Sequence, residues 1–249
     1  MTAVTDDIRA ELAPTGTLRA GINLGNFLLV TGRGPGGEPQ GVAPDMAAEI
    51  ARRLGVPVGY VPFDTPGALA DAAGQDAWDI GLIGAEPQRA EQIAFSPAYV
   101  EIEATYLVPA GSAITSVEEV DRPGVRIAVT ARSAYGLWLE RNIRQAELVR
   151  SATLDSAFEQ FTAEGLDALA GLRPRLLKDV ERLPGARILP GRFSAVQQAV
   201  GTPRRNAAGA AFLAALVEEL KASGFVADLI RRHGVEHGLT VAPAAQASG

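Results

Sequence analysis

A guanidinium carries a rigid fork of donors that matches a carboxylate through two parallel hydrogen bonds, and Arg89 stands where such a fork would matter. It follows the strand-like run Asp79–Ile83 and the segment Gly84-Ala85-Glu86. That places it just past the carboxyl end of a strand, where open α/β sheets hold ligands. Glu86 and Glu91 are near enough in sequence to pair with it instead, as on an ordinary helix surface. A second candidate is Ala131-Arg132-Ser133-Ala134-Tyr135, where a strand ends and a helix begins. Backbone N–H groups and the positive end of the helix make such a turn an anion site, and Arg132 adds a cation. Ser133 equally serves as a plain helix cap, worth about 1 kcal/mol with no ligand at all. Asn26, past the first strand, offers hydrogen bonds to a ligand or the backbone tolerance of a turn residue. Ile83, Gly84 and Ala85 line the same wall with backbone groups.

Other chemistry is sparse. The absence of Cys removes disulfides, thiolate nucleophiles and thiolate metal sites. His233 and His237 have the i, i+4 spacing of a metal pair, but Gly234 and Gly238 interrupt any helix and no third ligand is near, so a surface turn is expected there. The Gly-rich run 32–37 contains Pro35 and lacks the Lys-Ser/Thr ending of a phosphate loop. Glu86, Glu101 and Glu103 are candidate partners for a cationic ligand group, although such carboxylates are usually solvated. No nucleophile and base are paired, so no catalytic residue, metal or cofactor is expected.

These residues need a scaffold of alternating strands and helices, and the chain from Leu18 onward has that pattern. Leu18–Ile22 reads as a strand, Thr31–Gln40 as a flexible exposed loop, and Pro44–Leu54 as a helix stopped by Gly55 and Pro57. Val58–Val61 is a strand, Thr65 and Pro66 open a helix ending near Gly74, and Glu86–Gln92 makes a short helical turn. Tyr99–Val108 alternates like a strand long enough to cross between lobes. Val125–Thr130, Leu166–Ala170 and Val196–Thr202 are further strands, and Ser133–Arg144 is a helix. Asn206–Ser223 is the clearest helix, with Phe212, Leu213, Leu216, Val217 and Leu220 on one side and Gly224 at its end.

The totals exclude several classes. The 249 residues fill one large core or two lobes. Lys and Arg number 23 against 29 Asp and Glu, a net charge of −6 with the basic residues scattered, which disfavours nucleic acid. No stretch has the roughly 20 apolar residues of a membrane span, so no membrane insertion is expected. Asp6, Asp7 and Glu11 stand where a secretory leader would be basic and then apolar. Two locations stay open on that ground: periplasmic with a leader removed, or cytoplasmic.

The order of several short motifs carries more. Leu18-Arg19-Ala20-Gly21, Gly41-Val42-Ala43-Pro44-Asp45-Met46, Trp78-Asp79-Ile80-Gly81, the run from Arg89 through Phe95-Ser96-Pro97 to Tyr99, Gly124–Val129 and Gly165-Leu166-Asp167-Ala168 occur in sequence. Together they resemble the extracellular solute-binding proteins, family 3, that feed ABC importers of polar amino acids. The resemblance implies a two-lobed α/β fold of the type II periplasmic-binding-protein kind. In it two strands cross between the lobes, and the ligand is held between lobes that close by a hinge. The lobes are expected at 17–108 plus 197–240 and at 109–196, after an extension over 1–16 and before a disordered tail over 241–249. By resemblance, Arg89 and the turn at Arg132-Ser133-Ala134-Tyr135 hold the ligand's carboxylate. Three positions depart from the family: Asn26 replaces an aromatic, Arg132 a small residue, and Leu172 the Asp that pairs with the ligand's amino group. The expected function is capture of a carboxylate-bearing polar ligand by a monomer that serves an ABC-transporter permease. The alternative is a cytoplasmic enzyme on the same fold, such as a dehydratase of a carboxylated ring compound.

Overall fold

Short β-branched runs closed by Gly, Pro or a capping hydroxyl give a regular alternation of elements in the computed structural model, which describes residues 3–245. In chain order these are α1 (Asp6–Leu12), β1 (Leu18–Asn23), β2 (Gly32–Arg33), β3 (Pro39–Gln40), α2 (Val42–Leu54), β4 (Val58–Phe63), α3 (Pro66–Asp71), β5 (Ile80–Gly84), α4 (Pro87–Ala90), β6 (Ile93–Phe95) and β7 (Val100–Val108). There follow β8 (Arg126–Thr130), α5 (Ala134–Asn142), β9 (Glu147–Ser151), α6 (Leu154–Ala163), β10 (Ala168–Leu172), α7 (Arg173–Val180), β11 (Arg187–Ile188), β12 (Ser194–Pro203), α8 (Ala207–Ala222), α9 (Phe225–Arg232) and β13 (Thr240–Val241). The chain forms two units, 1–101 with 197–249, and 102–196. The two strands that pass from one unit to the other are β7 and β12. The first boundary falls inside β7, between Glu101 and Ile102, whereas the sequence places it after Val108. Alternation runs unbroken through β7 and leaves no mark at the crossing.

In the first unit β1 lies between β4 and β5, parallel to both, with Leu18 opposite Val58 and Ala20 opposite Ile80. β12 runs antiparallel along the other side of β5, from Gln198 opposite Gly84 to Gly201 opposite Gly81. Met46, Ile50 and Leu54 on one face of α2 are fully buried, the helix periodicity having aimed them at the sheet. The buried Asp79 locks β1 to β5: its carboxylate accepts from Arg19 N at 2.9 Å, Nε at 3.1 Å and Nη2 at 2.6 Å. At the start of α2, Gly41 has φ +148° and ψ −174°, and a Cβ there would stand 2.2 Å from the Leu29 carbonyl oxygen.

The segment 1–16, read as an extension, contains α1. Its Ile8 and Leu12 are buried, and Glu11 Oε2 accepts from Gly209 N of α8 at 2.7 Å. The expected loop at 31–40 is a tight hairpin, with Gly32 opposite Gln40. The expected disordered tail departs from the structure as far as 245. β13 pairs with β7, Ala242 N donates to Tyr99 O at 3.1 Å, and the Pro243 carbonyl accepts from Lys221 Nζ at 2.8 Å. Alanine-rich composition hid a segment whose backbone bonds do the holding. Residues 246–249 lie outside the described residues. His233 ends α9, a helix that the glycines around it concealed, and its Nε2 meets Asp45 Oδ2 at 2.9 Å.

In the second unit β10 lies between β7, antiparallel, and β8, parallel, and β9 extends the sheet beside β8. Phe158 and Phe161 of α6 pack with Leu107, Leu166, Leu169 and Leu176 to form the core. Asp121 closes the turn after α5 by accepting from the backbone N–H groups of Gln145 at 2.7 Å and of Ala146 and Arg144 at 2.9 Å. Burial pushes its carboxyl up, but these backbone donors outweigh it and hold the group below its ordinary range. A depressed folded value contributes stability above the unfolded value and loses it as pH falls through the folded one. Asp121→Asn is therefore expected to melt roughly 2–4 °C lower at neutral pH, the shift of about 1 kcal/mol in a chain of this size. In melts repeated at falling pH the difference should begin to shrink below about pH 4 and close only below the lowered folded value.

Candidate functional site

Within the first unit the candidates gather at one sheet edge. β1 and β5 are adjacent and parallel, so the segments that follow them, Asn26 after β1 and Gly84–Arg89 after β5, leave from the same carboxyl edge. Pro87 at the first position of α4 starts that helix at once, its fixed φ suiting the first turn. Arg89 is only 6% exposed, so its side chain does not lie on an open helix surface. Its Nη1 donates to the Gly84 carbonyl at 2.7 Å, so the guanidinium is drawn back over the strand end. Glu86 is 8% exposed and occupies the cap position of α4 without a side-chain cap bond. Ala85 N donates to Gln197 O at 2.7 Å, and the Ile83 side chain packs with Leu69, Trp78 and Ile93 in the core. Ile83 thus has only backbone groups to offer a ligand. The Asn26 oxygen accepts from Leu28 N at 3.2 Å and Leu29 N at 3.3 Å; it is spent on its own turn, which leaves the carboxamide nitrogen as its contribution.

The second unit has a matching edge. β8 and β10 are adjacent and parallel; the turn at 131–133 follows β8, and Leu172 ends β10 as a buried residue opposite Ala104. Ser133 Oγ donates to Thr130 O at 2.7 Å and accepts from Gly136 N at 3.0 Å. With Ser133 spent on the Gly136 amide, helix geometry leaves the Ala134 and Tyr135 amides without an acceptor inside α5. Arg132 is exposed and holds φ +58°, a left-handed conformation uncommon for a side-chain-bearing residue and often found at functional turns. Tyr135 is buried, and its hydroxyl lies near those of Thr130 and Ser133 without hydrogen-bond geometry to either; burial pushes its phenol up. The Thr130 hydroxyl is also buried and unbonded among the described residues. Sequence reading missed Thr130, although its place as the last strand residue before the turn was a usable signal.

Glu101 and Glu103 are engaged elsewhere. Glu101 accepts from Gln197 Nε2 at 2.8 Å, and the exposed Glu103 from Arg173 Nε at 2.8 Å. Each unit thus presents a carboxyl edge with a positive element, a buried guanidinium in one and a helix start with Arg132 in the other.

Residues 29–236 match the model of the bacterial extracellular solute-binding proteins, family 3. Comparison with curated proteins finds no significant match. Among solved structures, a mutant of the ArgBP from T. maritima is similar at TM-score 0.71 and 23% identity, covering 92% of this chain and 100% of that one. A putative binding component of an ABC transporter from Wolinella succinogenes, complexed with lysine, is similar at TM-score 0.71 and 18% identity, covering 88% and 95%. An ancestral amino acid-binding protein described as a precursor of cyclohexadienyl dehydratase has TM-score 0.69 and 21% identity, covering 89% and 97%. At these identities the likeness is one of fold, the two-lobed type II periplasmic-binding-protein kind. No helix among the described residues is long and apolar enough to cross a membrane.

Proposed function

Since this chain belongs to the bacterial extracellular solute-binding proteins, family 3, we propose that it captures a small carboxylate-bearing polar ligand, an amino acid or related organic acid, and releases it unchanged to an ABC importer outside the cytoplasm. The observation that carries this reading is the buried Arg89 guanidinium at the carboxyl edge of β5, a site built for a planar anion. The start of α5, with Arg132, Ser133, Ala134 and Tyr135, supplies the second unit's backbone donors for an anion. Asn26, Ile83, Gly84 and Ala85 contribute polar backbone or amide groups, and Leu172 forms apolar wall. The protein acts as a monomer and needs no cofactor.

The rival reading is an enzyme on this fold that removes water from a carboxylated ring compound; the likeness to a dehydratase precursor keeps it in view. One experiment separates the two. The protein is mixed with the standard L-amino acids and with ring carboxylates, and the mixtures are followed by NMR. Ligand resonances are expected to broaden while no new species accumulates. Steady appearance of a product would overturn the binding-only reading.

A further inference from the structure

Of the two histidines, His237 lies exposed in a turn, but His233 stands where three segments of the first unit meet. It closes α9, its N–H donating to the Leu229 carbonyl at 3.0 Å, and its side chain is only 14% exposed. Each ring nitrogen meets a different segment. Nε2 lies 2.9 Å from Asp45 Oδ2 of α2, and Nδ1 lies 3.5 Å from the hydroxyl of Thr31, which leads into β2. A carboxylate only accepts, so Nε2 donates to Asp45, and the Thr31 hydroxyl can donate to Nδ1. Arg232 Nη1 reaches the same Asp45 oxygen at 3.3 Å, a second hold of α9 on α2.

The contact at Thr31 touches the carboxyl edge of β1. Just before it in the chain, Val30 N and Leu29 N donate to the Asn26 carbonyl at 2.9 and 3.1 Å, and Thr31 N itself donates to Gln40 O at 2.9 Å. Thr31 is therefore the outgoing end of the turn that presents Asn26. The Leu29 carbonyl ties the middle of that turn to α2 by accepting from Ala43 N at 3.1 Å. An exposed connection keeps one position only where such tertiary anchors hold it. We propose that His233 is a positioning residue for the ligand edge of the first unit: through Nδ1 it fixes Thr31, and through Thr31 the turn that carries Asn26. The other arm, from Nε2 to Asp45, docks α9 on α2 and serves stability. The proposal rests on the ligand-binding reading above, in which Asn26 offers its carboxamide nitrogen.

Three variants separate the arms. His233→Asn keeps a polar group near the Nδ1 position and removes the arm to Asp45, His233→Gln does the reverse, and Thr31→Val cuts the first arm from its other end. Each is titrated calorimetrically with the standard L-amino acids and with ring carboxylates, melted, and followed by hydrogen exchange at the amides of residues 28–31. His233→Gln and Thr31→Val should weaken binding of whichever compound the unaltered protein takes by about threefold to tenfold, the scale of one neutral hydrogen bond. Both should speed exchange at 28–31. His233→Asn should melt roughly 2–4 °C lower and keep its affinity within about twofold. Combining His233→Gln with Thr31→Val should cost no more affinity than either alone, because both cut the same contact. Affinity that simply follows melting temperature across the variants, or losses that add in the double variant, would make His233 a structural clasp and overturn the proposal with ligand binding itself intact. If the unaltered protein binds none of these compounds, the ligand-binding reading falls and the proposal falls with it.

Discussion

Replacing Arg89 by Ala is expected to weaken ligand binding by about tenfold to over a hundredfold, the loss of roughly 1.5–3 kcal/mol that accompanies removal of a charge-assisted contact. Arg89→Lys should recover only part of this, because an ammonium is a point charge and cannot reproduce a planar fork. The sequence alone suggests that folding would be almost indifferent to the change. The structure alters that expectation, since Nη1 also holds the Gly84 carbonyl at 2.7 Å. A stability loss of about 1 kcal/mol should therefore accompany Arg89→Ala, and Lys, able to donate to the same carbonyl, should restore it better than it restores affinity. Calorimetric titration and thermal melts on both variants give the two readouts. Lowered melting with unchanged affinity would make Arg89 a strut of the β5–α4 turn and remove it from the site.

Gly41→Ala is expected to be the most damaging small substitution in the first unit. Its φ of +148° with ψ −174° lies in a region only glycine enters at low cost, and the added Cβ would meet the Leu29 carbonyl oxygen at 2.2 Å and Val30 Cα at 2.9 Å. Strain and overpacking each cost roughly 1–3 kcal/mol. Together they should lower the melting temperature by about 6–12 °C, taking roughly 3 kcal/mol in a chain of this length. Gly124 is the control: it also has positive φ, +84°, but open space where a Cβ would go. Gly124→Ala should lose only about 1 kcal/mol, the backbone part alone. Equal losses at the two positions would mean that the Leu29 carbonyl yields.

What could be read in advance follows from which forces leave a trace in one sequence. α8 was plain because Phe212, Leu213, Leu216, Val217 and Leu220 form a buried stripe, and the strand run from 99 to 108 because alternation is a period of two. α7 left no such trace and was unassigned: Arg173, Pro174, Arg175, Lys178 and Asp179 make it largely polar, yet Leu176 is buried and Arg175 Nε donates to Asp179. A helix held partly by an internal ion pair does not advertise itself through hydrophobic periodicity. α6 and β9 were likewise unassigned, and the α6 capping box at Thr153 and Ser156 shows the signal that was available. In the candidate site, the Ser133 cap and the position of Arg89 after a strand were visible from residue type and spacing. The burial of Glu86, the Asn26 oxygen turned into its own loop, and the unbonded Thr130 hydroxyl were not, because each depends on where a side chain points.

The way β7 and β12 pass between the units also dictates an order of assembly. The second unit is one uninterrupted stretch, 102–196, whereas the first is split around it. As a nascent chain leaves the ribosome, β4, β1 and β5 can associate early, but the far edge of β5 is covered only by β12, whose pairing residues begin at Gln198. The whole second unit has by then emerged and can condense on contacts local to itself, while the first waits on a long-range closure. Until β12 arrives, Gly81–Gly84 presents unpaired backbone to any passing strand. The strand that leads into Arg89 thus stays unshielded until residues 102–196 have emerged, and the half-site that it carries is completed only after them.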